Sequence, residues 1–121
     1  IASEPLKSSG KYNKSNRGKT YVFVTNEKNG INHEISVVAG FNYKKNTKVK
    51  FTIDKNTTLL FPIDDRAWSE SPKVDKILVR KMKKGNKLII EGTSSPGNVI
   101  IDHYSLSGFT KALALIDKNC S

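Results

Sequence analysis

Cysteine is almost absent from this chain: it occurs once in 121 residues, at Cys120. One thiol cannot close a disulfide within the chain and cannot build a thiolate metal cluster, so both of these ways of stabilising a small fold are excluded. In an oxidising compartment an unpaired thiol either forms an intermolecular disulfide or stays a minor reactive site, which non-reducing electrophoresis distinguishes. The chain is therefore expected to be a monomer or a weak dimer.

Long apolar runs are also missing. A helix that spans a bilayer needs about 20 consecutive apolar residues, whereas runs such as 88–90 and 99–101 have only the length of a short strand. No transmembrane segment is expected. The fractions of hydrophobic residues, 36%, and of charged residues, 26%, are typical of a globular domain. A chain of this length has room for one domain with a single core.

Acidic residues are scarce, with 11 Asp and Glu against 21 Lys and Arg, which gives a formal net charge of +10. Such an excess concentrates polyanions near the surface without choosing among them. Arginine, which reads base edges by paired hydrogen bonds, is present only at Arg17, Arg66 and Arg80. The charge therefore favours a solvated basic surface or diffuse attraction over sequence-specific DNA recognition.

Residues 1–19 are rich in Ser, Gly, Asn and Lys, and after Ile1 their only sizeable apolar side chains are Leu6 and Tyr12. Unless a strand pairs with it, such a segment buries too little surface to offset the entropy lost on ordering. The sequence predicts a flexible arm over 1–19 and a single globular domain over 20–121.

Short stretches of alternating or β-branched apolar residues predict six strands. They lie in 20–25, 33–39, 48–54, 57–63, 88–90 and 99–101. Asn29-Gly30 and the segment 94–98 supply the turns of two hairpins. Pro62 predicts a sheet edge or the end of its strand, and residues 64–68 are predicted to form a loop.

Two helices are predicted. Ser71 has the character of an N-cap and Pro72 that of a first helical residue. From Lys73 to Lys84 the apolar residues recur at helical spacing, at Val74, Ile77, Leu78 and Met82. Gly85 is expected to end this helix in a left-handed conformation. In the second helix Ser107 is the expected cap, and the expected buried face comprises Phe109, Ala112, Leu113 and Ile116.

Sequential hairpins favour an antiparallel sheet whose apolar face must be covered by stacking or closure. The predicted fold is mainly β. It is an antiparallel β-sandwich or small barrel of about six to eight strands with two short α-helices.

Convergent catalytic residues are not evident. In His33-Glu34 and Asp102-His103 the neighbours on a strand point to opposite faces, so neither dipeptide is a ready acid–base pair. Both histidines could meet Asp64 or Asp65 at a metal, although no spacing requires it. Ser105 and Ser107 lack the glycine pattern of a hydrolase nucleophile. We therefore expect no catalytic residue, no metal site and no cofactor.

Basic residues mark the first helix and the start of the following strand. The candidate anion-binding residues are Lys73, Lys76, Arg80, Lys83, Lys84 and Lys87. An alternative is that cations at the end of this helix only stabilise its dipole and cap its carbonyls. Trp68, beside two aspartates, is a candidate aromatic for a sugar or peptide site or else a core residue.

Five ordered stretches between Tyr21 and Cys120 carry a family resemblance. They are YVFVTNE, HEISVVAGF with the following Tyr43-Lys44-Lys45, LFPIDDRAW, RKMKKGNKLIIEGTSSPG and IDHYSLSGFTKALALIDKNC. In these stretches the chain resembles the invasion-associated locus B family, exported proteins of Gram-negative bacteria named for a member linked to host-cell entry. The resemblance implies a periplasmic or cell-envelope domain whose signal peptide has been removed. It implies no catalytic residues, and many relatives carry more cysteines than this chain.

These observations favour an exported, non-catalytic binding or structural protein whose expected partner is a polyanionic component of the envelope or of a host. Two alternatives stay open. One is a module that binds acidic glycan, lipid headgroup or nucleic acid, and it requires a continuous basic face. The other is a small hydrolase or metal-dependent enzyme, and it requires a deep pocket where a histidine meets carboxylates.

Overall fold

The structure is a computed structural model, and it describes residues 2–10, 17–26 and 33–120. The predicted Asn29-Gly30 turn and Tyr12 lie outside these residues. The described chain contains nine strands and two helices. The strands are β1 (Ala2–Ser3), β2 (Lys7–Gly10), β3 (Tyr21–Thr25), β4 (Glu34–Val38), β5 (Val49–Ile53), β6 (Asn56–Ile63), β7 (Arg66–Trp68), β8 (Lys87–Thr93) and β9 (Val99–Ser105). The helices are α1 (Pro72–Lys84) and α2 (Phe109–Cys120).

All nine strands belong to one antiparallel sheet in the order β1-β3-β4-β7-β6-β5-β8-β9-β2. The sheet curls into a half-barrel, which confirms the mainly antiparallel β fold with two helices. Strand β6 joins the two halves, because residues 56–60 pair with β5 and residues 61–63 pair with β7. Neither described helix has the length and apolar character that a bilayer crossing requires.

The inner face of the curled sheet forms the core. In β5, Val49, Phe51 and Ile53 are buried while Lys50 between them is exposed, as the alternation of that strand predicts. The other apolar residues of this face come from six further strands. They are Val22, Val24, Ile35, Val37, Leu60, Ala67, Leu88, Ile90, Ile100 and Tyr104. Both helices cover this side, since Leu78, Val79 and Met82 of α1 and Leu113 of α2 pack into the same cluster.

Within the segment 1–19, for which the sequence predicts a flexible arm unless a strand pairs with it, two described stretches are strands of the sheet. Ala2–Ser3 pairs with β3, and Lys7–Gly10 pairs with β9 over four residues. Farther on, the Arg17 side chain is buried against Asp102. The backbone bonds of the two strands and this ion pair supply the ordering energy that the polar side chains do not.

The segment predicted as the loop 64–68 instead forms a hairpin. Residues Arg66–Trp68 pair with β6 on one side and with β4 on the other. Asp64 adopts a φ of 56° and makes the tight turn without glycine, which aspartate tolerates better than most residues. Pro62 lies past Leu60, the last residue paired with β5, so its side without an N–H meets no strand there.

Two predicted helix ends need correction. Ser71 does cap α1, accepting a hydrogen bond from the Val74 amide at 3.4 Å. Gly85, however, has a φ of −85° and is extended. Its small size matters instead, because a Cβ there would lie 2.5 Å from Ile53 Cγ2. The second helix begins at Phe109 after Gly108, whose carbonyl accepts from the Ala112 amide at 3.0 Å, so the expected Ser107 cap is wrong.

Candidate anion-binding surface

Helix α1 presents a continuous row of cations to solvent. Ser71 and Pro72 set the start of the helix, and spacing of three or four residues then places basic side chains on one side. All six predicted anion-binding residues are exposed. Five of them, Lys73, Lys76, Arg80, Lys83 and Lys84, lie on α1, and Lys87 opens β8. Within the described chain, no ion pair joins any of the six to a carboxylate.

The single acidic residue of α1 points away from this row. Asp75 is 6% exposed, and its Oδ1 accepts hydrogen bonds from Ser69 Oγ at 2.6 Å and from the Ile35 amide at 3.3 Å. Its charge therefore serves the contact between the start of α1 and β4. Because this carboxylate is buried, the exposed side of the helix carries only positive charge.

The apolar face of α1 is rotated relative to the prediction. Leu78 and Met82 are buried as expected, but Val79 is also buried and Ile77 is 40% exposed. Val74 packs only partly against the core. Because Asp75 is buried, the side of α1 that faces the core is the one that carries residues 75, 79 and 82. The periodicity of apolar residues alone cannot detect a buried aspartate.

Charge near the end of α1 also stabilises the helix itself. Lys81, Lys83 and Lys84 occupy its last turn, where cations interact favourably with the helix dipole. The last carbonyls have partners as well, since the Gly85 amide donates to Lys81 O at 2.8 Å and Thr110 Oγ1 donates to Lys83 O at 3.4 Å. The first three cations of the row, from Lys73 to Arg80, precede this turn, so the dipole does not account for them.

Trp68 lies in β7 on the side of the sheet away from the core, and it is half-buried. Arg66 Cζ lies 6.0 Å from the centroid of the Trp68 ring and 5.7 Å from that of Phe23. Asp64 lies at the turn between β6 and β7 and lines a cleft to which Trp68 does not contribute. The structure therefore does not bring Trp68 and the two aspartates together in one cavity lined by described residues.

The structure has a second exposed surface that the sequence did not predict. Residues directly opposite on paired strands point to the same side, and the register aligns Phe23, Ser36, Trp68 and Phe61 across four strands. We call this side the outer sheet face. It includes Tyr21, Phe23, Ser36, Val38, Lys48, Lys50, Leu59, Phe61, Ile63, Arg66 and Trp68. The available signal was that β3 and β6 are apolar at consecutive positions, which leaves apolar residues on both faces.

An open cleft of about 840 Å³ adjoins this face. Its lining includes Lys44, Lys45 and Lys48, together with Phe61 and Ile63 of β6. A smaller and mainly apolar cavity of about 170 Å³ lies between the sheet and the start of α2, where Tyr104, Phe109 and Met82 contribute to its walls. The larger cleft combines cations and apolar groups, whereas the smaller one has the lining of a packing gap.

Comparison with known proteins identifies a family. The sequence model of the family described as invasion associated locus B (IalB) protein matches residues 8–117. The chain belongs to the IalB family. This confirms the resemblance that the ordered motifs carry. No curated protein and no solved structure matches the chain.

In this IalB protein the two histidines lie in separate places. His33 Nε2 is 2.6 Å from Asp117 Oδ1, and Asn26 Nδ2 donates to the same oxygen at 2.9 Å. His103 lies in β9 opposite Lys7, while its neighbour Asp102 turns inward to Arg17. Within the described residues, no three His, Cys, Asp or Glu side chains are grouped to hold a metal. The described histidines thus do not meet Asp64 or Asp65.

Proposed function

We propose that this IalB protein is exported to the periplasm or cell envelope and acts there by binding a polyanion rather than by catalysis. The polyanion we propose for α1 is an acidic polysaccharide. One observation carries the proposal: α1 exposes a row of cations while its single carboxylate, Asp75, is buried. The exported relatives that the family resemblance implies support the location.

The spacing of the row suits a polymer. Lys73, Lys76, Arg80 and Lys84 follow one another at three or four residues, so their charges repel by a few tenths of a kcal/mol per pair in an isolated helix. A polyanion that neutralises several of them relieves this repulsion and gains attraction. Because exposed charges are screened over about 8 Å at physiological ionic strength, binding is expected to weaken steeply with added salt.

The histidine contacts support a binding role over catalysis. His33 ties the start of β4 to α2 through Asp117, so that pair links two elements of the fold. It lies apart from the cleft beside β6, whose described lining contains lysines and one carboxylate, that of Asp64. Acid–base catalysis first requires a general base within reach of a bound substrate. The contact with Asp117 holds the His33 ring away from the cleft beside β6.

Heparin chromatography tests the α1 surface. The Lys76→Gln/Arg80→Gln variant removes two exposed charges from the middle of the row. Lys7→Gln/Lys19→Gln removes two exposed charges from β2 and from the segment before β3, so the two variants have equal net charge. We expect the α1 variant to elute at lower salt than its control, and elution of both at the same salt would contradict the proposal. Cell fractionation tests the location, and recovery in the cytoplasmic fraction alone would contradict export.

A further inference from the structure

Strand β6 exposes three large apolar side chains on the outer sheet face. Leu59 is 48% exposed, Phe61 40% and Ile63 65%, while Leu60 between them is fully buried. They alternate along one strand, so they form a continuous ridge. Contiguous exposed apolar surface on a folded protein marks a place of interaction more often than scattered single residues do.

Cations line both sides of this ridge. Lys50 lies opposite Leu59 in the register and Arg66 lies opposite Ile63. Lys48 Nζ lies 5.1 Å from the centroid of the Phe61 ring, and Lys44 and Lys45 line the adjoining cleft. Against these five cations stand three carboxylates: Asp64 in the same cleft, Asp65 next to it in the turn, and Glu91, whose Oε2 is 3.5 Å from Lys50 Nζ. The surroundings of the ridge are therefore positive.

We propose that the outer sheet face docks on an anionic lipid bilayer. In this arrangement Leu59, Phe61 and Ile63 enter the boundary between headgroups and acyl chains, and Lys44, Lys45 and Lys48 contact the anionic headgroups. Apolar side chains flanked by lysine and arginine are the combination by which peripheral proteins bind such surfaces. Trp68, opposite Phe61 on the neighbouring strand, adds an indole ring, a group that is enriched at membrane interfaces.

The aromatic rings of this face argue against a sugar or a nucleic-acid base as the occupant. Stacking of either uses a ring face, and one face of each ring already has a cation of the chain over it, Lys48 at Phe61 and Arg66 at Phe23 and Trp68. The most exposed residue of the ridge, Ile63, is aliphatic and offers no stacking surface. A second copy of the chain would oppose these cations to their own copies, which is unfavourable.

This inference does not rest on the surface proposed for α1. The buried residues of α1 pack into the core on the inner side of the sheet, whereas the ridge lies on the outer side. The two surfaces use different residues and face away from each other. An acidic polysaccharide on α1 and a bilayer on the outer sheet face can therefore be tested separately.

Vesicle flotation with matched variants tests the proposal. Ile63→Ser removes an apolar group that is 65% exposed on the ridge, and Leu115→Ser removes one that is 62% exposed on α2. On vesicles of phosphatidylcholine and phosphatidylglycerol we expect Ile63→Ser to weaken binding about tenfold, from the size of the lost apolar contact, and Leu115→Ser to leave it unchanged. Equal binding by the two variants would overturn the proposal. So would wild-type binding to vesicles of pure phosphatidylcholine that equals its binding to the vesicles with phosphatidylglycerol.

Trp68, the single tryptophan, reports which surface meets the bilayer. Brominated lipids quench a nearby indole, so we expect quenching of Trp68 fluorescence in the wild type and in Lys76→Gln/Arg80→Gln. Loss of vesicle binding in that α1 variant, with full binding of Ile63→Ser, would place the lipid contact on α1 and overturn the inference. Elution of the α1 variant and its control from heparin at the same salt would overturn the proposed function but not this inference.

Discussion

Arg17 and Asp102, 85 positions apart, form a bidentate ion pair inside the curled sheet. Arg17 Nη1 and Nη2 donate to the two carboxylate oxygens at 3.0 and 2.7 Å. The two side chains are only 7% and 6% exposed. Arg17 Nε also donates to Ala39 O at 2.9 Å, and Ser8 Oγ donates to Asp102 at 2.5 Å. The pair therefore connects β9 with the end of β4 and with the N-terminal segment.

Removing one member of this pair should be costly. In Arg17→Met the Asp102 carboxylate stays buried without its main counter-charge, and we expect the free energy of unfolding to fall by about 3–5 kcal/mol. The double variant Arg17→Met/Asp102→Leu removes both charges and should lose less than the sum of the two single variants. Urea unfolding of the four proteins measures this difference. Additive losses would show that the two charges do not stabilise each other.

The Tyr104 hydroxyl differs from the Arg17–Asp102 pair in its hydrogen bonding. It is buried and lacks a hydrogen-bond partner among the described residues. Since an unsatisfied buried hydroxyl destabilises a fold, Tyr104→Phe should leave the free energy of unfolding unchanged or raise it by about 1 kcal/mol. Tyr21→Phe, at a half-buried position of the outer sheet face, is the control. A loss above about 1 kcal/mol for Tyr104→Phe alone would reveal a bonded hydroxyl.

Tyr104 also predicts how stability depends on alkaline pH. Burial, reinforced by the charge of Asp102, raises the pKa of Tyr104 well above its usual range, and the pKa of Tyr43 is raised for the same reasons. Above about pH 10 the unfolded chain releases these protons while the folded chain retains them, so the free energy of unfolding falls as pH rises. Tyr104→Phe has one such proton fewer and should fall less steeply in denaturant titrations. Parallel slopes for wild type and variant would contradict this.

Asp117 predicts how the free energy of unfolding depends on acidic pH. Burial opposes its ionisation, but hydrogen bonds from Asn26 and His33 outweigh burial and hold the pKa of Asp117 below its ordinary value. The ionised carboxylate therefore stabilises the fold above about pH 4, and this contribution is lost as pH falls through the lowered pKa. The wild type should exceed Asp117→Asn in unfolding free energy at neutral pH, and the gap should close in acid. A gap independent of pH would show that the contacts of Asp117 do not depend on its charge.

Local patterns predicted the elements whose partners lie nearby in the sequence. The β8–β9 hairpin followed from two β-branched runs around Pro96-Gly97, and Gly97 has the φ of 99° that such a turn requires. Ser71 likewise predicted the start of α1. In each of these cases the residues that make the structure are neighbours, so a short window contains the physical cause.

Longer-range features could not be predicted in this way. β2 forms because β9 offers it an edge, and no pattern within Lys7–Gly10 contains that information. β7 was missed because Asp64-Asp65 turns the chain without glycine or proline. Of the two candidate surfaces, the row on α1 follows from helical spacing. The ridge of Leu59, Phe61 and Ile63 depends on which face the helices cover, which only tertiary structure decides.

The pairing of β2 with β9 also constrains the timing of folding. Ser8 and Asp102 meet across 94 positions, so in a chain emerging from a ribosome or a translocation channel β2 waits for almost the whole domain before its partner strand arrives. The edge of β9 and the buried position of Arg17 are completed only then, which makes the closing step nonlocal and slow. Until Ser105 has emerged the chain stays incompletely folded, because the strand edge on which β2 depends is not yet complete.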